Sequence, residues 1–268
     1  MRKILKIILK ILAKRVIARY QPVVIGITGS VGKTTAKEAI CAVLSRKFWV
    51  RKNTENFNNE FGIPMAVLGI EPDKFSTISY KLQAGWSALW LAYGWSGQKY
   101  PKMLVLELAA DRPGDIQYLV DIVQPQVGVV TAVGEVPVHV EFYASPEAVA
   151  AEKRKLIEQL PANNGLAVLN YDDQTVLDMK ERSKAKVITF GFANPPAGGA
   201  DVRVSDVAYF AGDNSGEIGG LSFKLGHTGS FVPVRVNGLA CLHQIYGLMA
   251  AAAVGLHFNM NLIEISGA

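Results

Sequence analysis

The chain has 268 residues, of which 50% are hydrophobic and 19% charged, a composition that excludes disordered and low-complexity proteins. Two cysteines are too few for a disulfide-built secreted fold, so we expect a protein of the reducing cytoplasm. Seven of the 28 basic residues lie in residues 1–22, which contain no acidic residue, and the rest of the chain carries 21 basic and 23 acidic residues. The positive charge belongs to the amino-terminal segment, so the body shows no sign of nucleic-acid binding.

Residues 1–20 are predicted to form a basic amphipathic helix. Lysines recur every three or four residues, at Lys3, Lys6, Lys10 and Lys14, and apolar residues fill the rest of its surface. These lysines interrupt the run of about 20 apolar residues that a transmembrane helix needs. Two interpretations stay open: peripheral contact with an anionic membrane at its cytoplasmic face, and packing of the apolar side on the body.

A second apolar segment, Leu82–Trp95, contains three tryptophans and is too short to span a bilayer alone. Tryptophan is typical of membrane interfaces and also of buried helices with one hydrated edge. Of these two interpretations we favour a helix of the protein core.

From Pro22 onward, apolar strands alternate with segments long enough for crossover helices. The predicted strands are Val23–Ile27, Met103–Leu108, Val127–Val133, Leu166–Leu169 and Val187–Phe190. The predicted helices are Lys33–Ser45, Pro113–Val123, Pro146–Leu160 and Gln174–Arg182. This alternation predicts an α/β fold, a parallel sheet with helices on both faces. Period-two segments near 200–237 then predict a small antiparallel hairpin region, followed by a helix from about Leu242 to Leu256.

The first turn after a predicted strand has the pattern of a phosphate-binding loop. The run is Gly26-Ile27-Thr28-Gly29-Ser30-Val31-Gly32-Lys33-Thr34-Thr35. Glycines let backbone N–H groups close around phosphate oxygens, and the helix amino terminus adds its dipole. Lys33 supplies a positive charge to the β- and γ-phosphates, and the hydroxyl of Thr34 is a ligand for Mg²⁺. We therefore predict that Thr28 to Thr35 bind ATP, although the strict pattern has glycine where this chain has Ile27.

A lysine lies on the apolar side of the predicted helix that follows Ser145. Ser145 at the N-cap and Pro146 at the first helical position form a strong helix start. Helical spacing then places Lys153 on one stripe with Val149, while Glu152 points elsewhere. Burial would lower the pKa of this lysine and supply a neutral amine. The alternative is a lysine whose stem is buried and whose ammonium reaches water.

Other polar residues lie where parallel strands end, which is where open α/β sheets bind ligands. Glu107 closes an apolar strand, so its carboxylate must be paired, protonated or bound to a cation. His139 lies beyond the strand that ends at Val133, and Asn170 and Asp173 follow a later one. For Asn170 and Asp173, turn capping is the plain alternative to ligand binding. The loop residues Asn56, Asn58 and Asn59 are either substrate contacts or ordinary turn formers.

Several runs, with the phosphate loop, resemble the Mur ligase family, the ATP-dependent amide-forming enzymes of peptidoglycan synthesis. The matching runs are Thr54-Glu55-Asn56-Phe57-Asn58-Asn59-Glu60-Phe61-Gly62-Ile63-Pro64, Glu107-Leu108-Ala109-Ala110-Asp111-Arg112-Pro113-Gly114-Asp115-Ile116, His139-Val140-Glu141, Asn170-Tyr171-Asp172-Asp173 and His243-Gln244-Ile245-Tyr246. The resemblance covers residues 23–258, the central ATPase domain of that family, and is strongest to members that add D-Ala-D-Ala. Ile27 then becomes a mark of the family, whereas Gln244 and Gly247 stand where the family usually has asparagine.

The resemblance implies roles for individual residues. The implied catalytic residues are Lys33, Lys153 and His139, with Lys153 carbamylated. The implied Mg²⁺ ligands are Thr34, Glu107 and His139. Beyond the phosphate loop, the implied ATP contacts are Asn170, Asp173 and His243, and the implied substrate contacts are Asn56, Asn58 and Asn59. The implied partners are a UDP-muramoyl peptide and D-Ala-D-Ala, and the implied cofactors are ATP and Mg²⁺.

The resemblance also predicts the domain organisation. Residues 1–21 form the basic helix, in place of the family's UDP-sugar domain, and residues 22–268 form the central ATP-binding domain. The family's carboxyl-terminal ligase domain is missing, and the apolar run Asn261–Ile265 close to the end of the sequence indicates a cut chain. We expect a ligase that activates a UDP-muramoyl-peptide carboxylate as an acyl phosphate for attack by D-Ala-D-Ala. The alternatives are an ATP-binding module inactive alone, and a related Mur or folylpolyglutamate-type ligase acting on another acid.

Overall fold

The computed structural model describes residues 2–54, 57–71, 74, 78–94, 99–134, 143–192, 199–212, 218–238 and 241–268. The helices are α1 (Arg2–Tyr20), α2 (Lys33–Ser45), α3 (Gly62–Leu68), α4 (Ile78–Tyr93), α5 (Asp115–Val123), α6 (Pro146–Glu158), α7 (Gln174–Leu177), α8 (Gln244–His257) and α9 (Leu262–Ser266). The strands are β1 (Val23–Thr28), β2 (Val50–Lys52), β3 (Met103–Glu107), β4 (Val127–Val130), β5 (Leu166–Asn170), β6 (Lys186–Phe192), β7 (Val202–Ala211), β8 (Ile218–His227) and β9 (Ser230–Asn237). A short 3₁₀ helix, Asp178–Arg182, continues α7.

The described strands form one nine-stranded sheet in the order β2-β3-β1-β4-β5-β6-β7-β8-β9. Every pair from β2 to β7 is parallel, and β7-β8 and β8-β9 are antiparallel. The predicted α/β fold with an antiparallel region near 200–237 is therefore confirmed. The hairpins extend the main sheet, because β7 pairs with β6 on its other side. The order places the carboxyl ends of β1, β3 and β4 side by side.

Two helical layers cover the sheet, as the apolar strands predict. Side chains of β1 alternate between them: Ile25 and Ile27 pack with α2 and α8, and Val24 packs with α1, α3, α4 and α5. Because β1 is buried on both faces, its sequence lacks the polar alternation of a half-exposed strand. The phosphate loop therefore follows directly after a central strand that is buried on both faces.

Helix α6 begins as its sequence predicts. Ser145 accepts a hydrogen bond from the N–H of Ala148, and Pro146 occupies the first helical position. The expectation that Glu152 points away from the core is wrong, because Glu152 is only 3% exposed. Its Oε1 accepts a hydrogen bond of 2.9 Å from the N–H of Ile116, in the first turn of α5. This carboxylate satisfies a helix-terminal donor that would otherwise be unpaired.

Helix α1 packs on the body, as one of the two interpretations of its sequence predicts, and the membrane contact stays a prediction. One side is buried against α3, α4 and α5, through Leu9, Leu12, Ala13, Val16 and Ile17. The opposite side leaves a row of isoleucines exposed. Two lysines of the stripe contact the body and two face solvent. Lys6 and Lys10 each place their ammonium 4.3 Å from the ring centroid of Tyr118, whereas Lys3 and Lys14 are exposed.

Helix α4 faces the core with small residues. Ala84 and Ala88 are buried, whereas Trp86 is 70% and Trp90 50% exposed. Helix α4 therefore packs on the core, as the favoured interpretation predicts, with Trp86 and Trp90 on its exposed side, and Trp95 lies outside the described residues. None of the helices within the described ranges is both long and apolar enough to cross a membrane.

Candidate active site

The phosphate loop joins β1 to α2 and depends on two glycines. Gly29 has φ +148°, and a Cβ there would lie 2.1 Å from Thr131 Oγ1. Gly32 has φ +80° and precedes α2 as its N-cap, with no side chain capping the helix. The N–H groups of the first turn of α2 therefore face the site without a side-chain partner, as an anion-binding helix terminus requires.

Two lysines converge on one carbonyl oxygen of this loop. Lys33 Nζ donates to Gly29 O at 2.9 Å, and Lys153 Nζ, arriving from α6, donates to the same oxygen at 3.2 Å. Burial lowers the pKa of Lys33, and the carboxylates of Glu107 and Asp111 partly oppose that shift. Burial, with the neighbouring charge of Lys33, lowers the pKa of Lys153 to about 8. Two adjacent cations at a helix amino terminus form a strongly anion-attracting site.

Glu107 is the centre of a hydrogen-bond network at the end of β3. Its carboxylate is almost fully buried, accepting from the Thr34 hydroxyl at 2.9 Å through Oε2 and from Asn58 Nδ2 at 3.1 Å through Oε1. The structure thus brings together Thr34 and Glu107, two of the three residues that the sequence predicts as Mg²⁺ ligands. The third, His139, lies outside the described residues.

Two residues of this network were not predicted from the sequence. Lys37 is fully buried, donates to Asn53 O at 3.2 Å and places its ammonium 3.8 Å from Glu107 Oε2. Asn53 is also buried and accepts from the N–H of Glu107 at 2.9 Å. The signal for Lys37 was present, since it lies on one helical stripe with Lys33 and the buried Ile40, the same reasoning that identified Lys153.

The asparagine loop divides between the site and the start of α3. Asn58 contacts Glu107, whereas Asn59 Oδ1 accepts from the N–H groups of Phe61 and Gly62 at 3.1 Å each. Asn59 therefore performs the turn-forming role that was its alternative, and it also lines a cleft of about 360 Å³ between α1 and α5. Asn56 lies outside the described residues.

The segment after β4 ties the phosphate loop to the next strand. Thr131 Oγ1 donates to Val31 O at 2.6 Å, and the N–H of Ser30 donates to Ala132 O at 2.6 Å. Asn170 Nδ2 donates to Thr131 O at 2.8 Å, and Asp173 Oδ2 accepts from the N–H of Val133 at 2.8 Å. Asn170 and Asp173 thus hold the segment that supports the phosphate loop, and their contact with ATP stays a prediction.

His243, an implied ATP contact, lies at the start of α8. His243 is exposed and precedes the helix, making no side-chain cap. The next turn carries Tyr246, whose hydroxyl donates to Asp172 Oδ2 at 3.0 Å and whose ring packs edge-on against Phe192. Burial raises the pKa of Tyr246, so this hydroxyl stays protonated.

Gly247 allows α8 to approach the start of α2. A Cβ at this position would lie 2.9 Å from Thr35 Cγ2 and 3.0 Å from the backbone nitrogen of Ala36. An asparagine here, the residue usual in the resembled family, would collide with the helix that begins at the phosphate loop. The close packing of α8 on α2 thus leaves no room for a side chain at Gly247.

The described residues fit a bound nucleotide with Mg²⁺. Ser30 Oγ, in the phosphate loop, is buried and has no hydrogen-bond partner among the described residues, as expected of a donor meant for a ligand. One hydroxyl and one carboxylate, Thr34 and Glu107, are typical protein ligands for a Mg²⁺ ion that completes its shell with phosphates and water. Among the described residues, no group of three or more histidine, cysteine or acidic side chains is placed to hold a metal ion.

Comparison with known proteins gives this geometry a family. A sequence profile for the Mur ligase middle domain matches residues 96–255, more than half of the chain. The chain belongs to the Mur ligase family. The resemblance read from the phosphate loop and the asparagine loop is thereby confirmed.

Several curated relatives of this Mur ligase chain are named UDP-N-acetylmuramoyl-tripeptide–D-alanyl-D-alanine ligase. The relative from Synechocystis is 33% identical over 174 residues, which are 65% of this chain and 32% of the relative. The relative from Bacillus subtilis is 27% identical over 249 residues, which are 93% of this chain and 44% of the relative. The Mur ligase chain thus spans about a third to under a half of the length of these relatives.

Solved structures confirm the Mur ligase fold over nearly the whole chain. MurF from Acinetobacter baumannii superposes with a TM-score of 0.75 at 23% identity, covering 98% of this chain and 49% of that one. MurF from Thermotoga maritima in complex with ADP superposes with a TM-score of 0.74 at 25% identity, covering 98% and 52%. Both matches include α1, which is therefore part of the shared architecture.

Proposed function

We propose that this chain is the ATP-activating part of a ligase that joins D-Ala-D-Ala to a UDP-muramoyl peptide. In this proposal residues 22–268 are the ATP-binding domain, residues 1–21 are a separate amino-terminal segment, and α1 within that segment packs on the domain. The observation that carries the proposal is the convergence of Lys33 and Lys153 on the Gly29 carbonyl, beside the Thr34–Glu107 pair. The names of the curated relatives supply the substrates.

The proposed reaction has two steps. A carboxylate oxygen of the muramoyl peptide attacks the γ-phosphorus of ATP, which gives an acyl phosphate and ADP. The neutral amine of D-Ala-D-Ala then attacks the acyl carbon and loses one proton, and phosphate leaves as the amide forms. Both steps move negative charge between oxygens, so positioning and electrostatic stabilisation supply most of the catalysis.

Each described residue has a role in this scheme. Lys33 moves its ammonium from the Gly29 carbonyl to the β- and γ-phosphates, and the N–H groups at the start of α2 hold the same oxygens. Thr34 and Glu107 would hold Mg²⁺, which neutralises phosphate charge when bound. Asn58, in the asparagine loop, orients the Glu107 carboxylate through its hydrogen bond. His139 is proposed as a further metal ligand, and Asn170, Asp173 and His243 as nucleotide contacts, on the resemblance alone.

Lys153 is proposed to be carbamylated. Its amine is deprotonated far more often than that of an ordinary lysine, because burial and Lys33 lower its pKa to about 8. Reaction of the neutral amine with CO₂ forms an N–C bond and releases one proton, which turns a cation into an anion. The carbamate would replace the repulsion between Lys153 and Lys33 by attraction, and incubation with ¹³C-bicarbonate followed by carbon NMR detects it directly.

The test of the proposed function is a binding and turnover series on the 268-residue chain. We expect ATP with Mg²⁺ to bind by calorimetry, and Lys33→Ala to abolish binding while the chain stays folded by circular dichroism. ADP release that requires both the UDP-muramoyl tripeptide and D-Ala-D-Ala supports the ligase. One-to-one ATP binding without turnover supports the alternative of a binding module, and release stimulated by a different acid would identify another member of the family.

A second proposal concerns residues 1–20, which we expect to contact an anionic membrane peripherally. Lys3, Lys14 and Arg15 are exposed on α1, and the helix contains no acidic residue. Basic side chains close to a membrane surface are attracted to anionic lipid headgroups. Replacing Lys3 and Lys14 by glutamate should therefore reduce binding to anionic vesicles and leave ATP binding unchanged.

A further inference from the structure

Helix α1 presents an apolar row to solvent on the side away from the core. The row consists of Ile4, Ile7, Ile8 and Ile11, which are between 47% and 64% exposed. They share one side of the helix, since they recur at steps of three and four residues. A folded protein normally buries such a row, because each exposed isoleucine forgoes the free energy of leaving water.

Helix α4 presents a second apolar row, richer in aromatic residues. Its members are Leu82, Trp86, Leu89, Trp90 and Tyr93, which are between 48% and 72% exposed. The core side of the same helix is made of Ala84, Ala88, Leu91 and Ala92. The large side chains are thus outside and the small ones inside, the reverse of a helix that serves only the core.

The two rows are adjacent. The guanidinium of Arg15, one turn beyond Ile11 on the exposed side of α1, lies 4.3 Å from the ring centroid of Tyr93, which ends the row on α4. The buried sides of both helices also pack in the same cluster. The isoleucines and the tryptophans therefore form one apolar surface, here called the α1–α4 face, larger than the single exposed residues normal on a protein.

The charge of the α1–α4 face selects its occupant. Neither helix contains an acidic residue, and Lys3, Lys14, Arg15 and Lys81 are exposed on them. A second copy of the face would oppose basic side chains to basic side chains, whereas an anionic surface attracts them. Helices that lie in a membrane interface have a similar composition. They place aliphatic residues at the acyl boundary, tryptophan and tyrosine at the level of the headgroups, and basic residues along their edges.

We propose that the α1–α4 face docks on an anionic lipid bilayer, with Trp86 and Trp90 entering the interface beside the isoleucines of α1. The inference rests on the proposed membrane contact of residues 1–20 and adds α4 as its apolar half. It is independent of the ligase reaction. Both helices would lie in the plane of the membrane, since neither can cross it.

Vesicle binding of the whole chain tests the proposal. The wild type and three variants are sedimented with vesicles of phosphatidylcholine alone or with 30% phosphatidylglycerol. Trp86→Gln with Trp90→Gln removes the aromatic row, Lys3→Glu with Lys14→Glu reverses charge on α1, and Trp49→Gln is the matched control. Trp49 is 51% exposed and comes just before β2, outside the face, so its loss should change nothing.

We expect the wild type to bind the anionic vesicles, and each double variant to weaken that binding about tenfold or more. Brominated acyl chains should quench the tryptophan fluorescence of the wild type and quench the Trp86/Trp90 double variant much less. Retained nucleotide binding in every variant shows that the site is intact, which separates this result from any failure of the ligase proposal.

Three results would overturn the inference. Undiminished binding of the Trp86/Trp90 double variant, with loss only in the charge variant, removes α4 and leaves contact by α1. Absence of wild-type binding to anionic vesicles removes both contacts. A wild-type dimer in sedimentation equilibrium that the Trp86/Trp90 double variant dissociates would make a second copy the occupant.

Discussion

The buried ion pair between Lys37 and Glu107 should contribute measurably to the free energy of unfolding. Lys37→Met keeps most of the buried stem and removes the ammonium that lies 3.8 Å from Glu107 Oε2 and bonds Asn53 O. The Glu107 carboxylate then stays in a site only 6% exposed without its cation. The variant should therefore be substantially less stable than the wild type, with no large rearrangement of the fold.

The magnitude follows from the contacts that remain. Removing one partner of a buried ion pair typically costs about 3–5 kcal/mol. Glu107 keeps its hydrogen bonds from Thr34 and Asn58, so we expect the lower end, about 3 kcal/mol. For a protein of this size such a loss lowers Tm by roughly 6–12 °C.

A double-mutant cycle provides the assay. Urea unfolding without nucleotide gives the free energies of the wild type, Lys37→Met, Glu107→Gln and the double variant. Because Glu107→Gln removes the charge that Lys37→Met leaves unpaired, the double variant should recover about 1–3 kcal/mol relative to additivity. Lys52→Met is the control, since Lys52 pairs with Glu38 on the surface and its loss should cost under about 1 kcal/mol.

A loss below about 1 kcal/mol for Lys37→Met would refute the reasoning, because the pair would then behave like a surface pair. Strict additivity in the cycle would refute it as well, since Lys37 and Glu107 would not be interacting.

Three further predictions concern other parts of the site. The free energy of unfolding of the wild type should rise relative to that of Lys153→Met between about pH 8 and pH 10.5 in CO₂-free buffer. The reason is that the unfolded chain holds the Lys153 proton more tightly than the folded chain, in which the lysine pKa is lowered to about 8. Urea melts that give the same difference at every pH would contradict the burial of a free amine. Gly247→Ala should destabilise the chain by about 1–3 kcal/mol, measured by urea unfolding, because the new Cβ overpacks against α2. Gly114→Ala is the comparison variant, since φ at Gly114 is +96° but a Cβ there meets nothing within 4 Å, so its cost reports backbone strain without crowding. Thr34→Val should weaken binding of ATP with Mg²⁺ in calorimetry much more than binding of ATP alone, and equal weakening would remove Thr34 from the metal site.

The sequence predicts the centre of the fold better than its periphery. Helix α2 occupies the predicted residues Lys33–Ser45, because a phosphate loop between a buried strand and a helix has few alternative structures. Strand β2 and helix α3 were missed, since three residues at a sheet edge and one short helix carrying Pro64 have too little periodicity to detect.

Side-chain direction was harder to predict than secondary structure. In α4 both sides of the helix are apolar, so periodicity cannot tell which one meets the core. The structure places the small residues Ala84 and Ala88 inside and leaves Trp86 and Trp90 exposed. Asn53 was missed because its partner Glu107 is distant in sequence and is brought close only by the sheet order, whereas the helical stripe of α2 contained the signal for Lys37.

The contact between α8 and α2 constrains how this branch of the family can evolve. A larger residue at Gly247 meets the backbone of Ala36 before it reaches any ligand, so a single substitution to the usual asparagine is penalised while α8 stays in place. Room for a larger side chain here would require the start of α2 to move, and the phosphate loop would move with it. The identity of one residue on α8 is thereby coupled to the placement of the phosphate-loop helix.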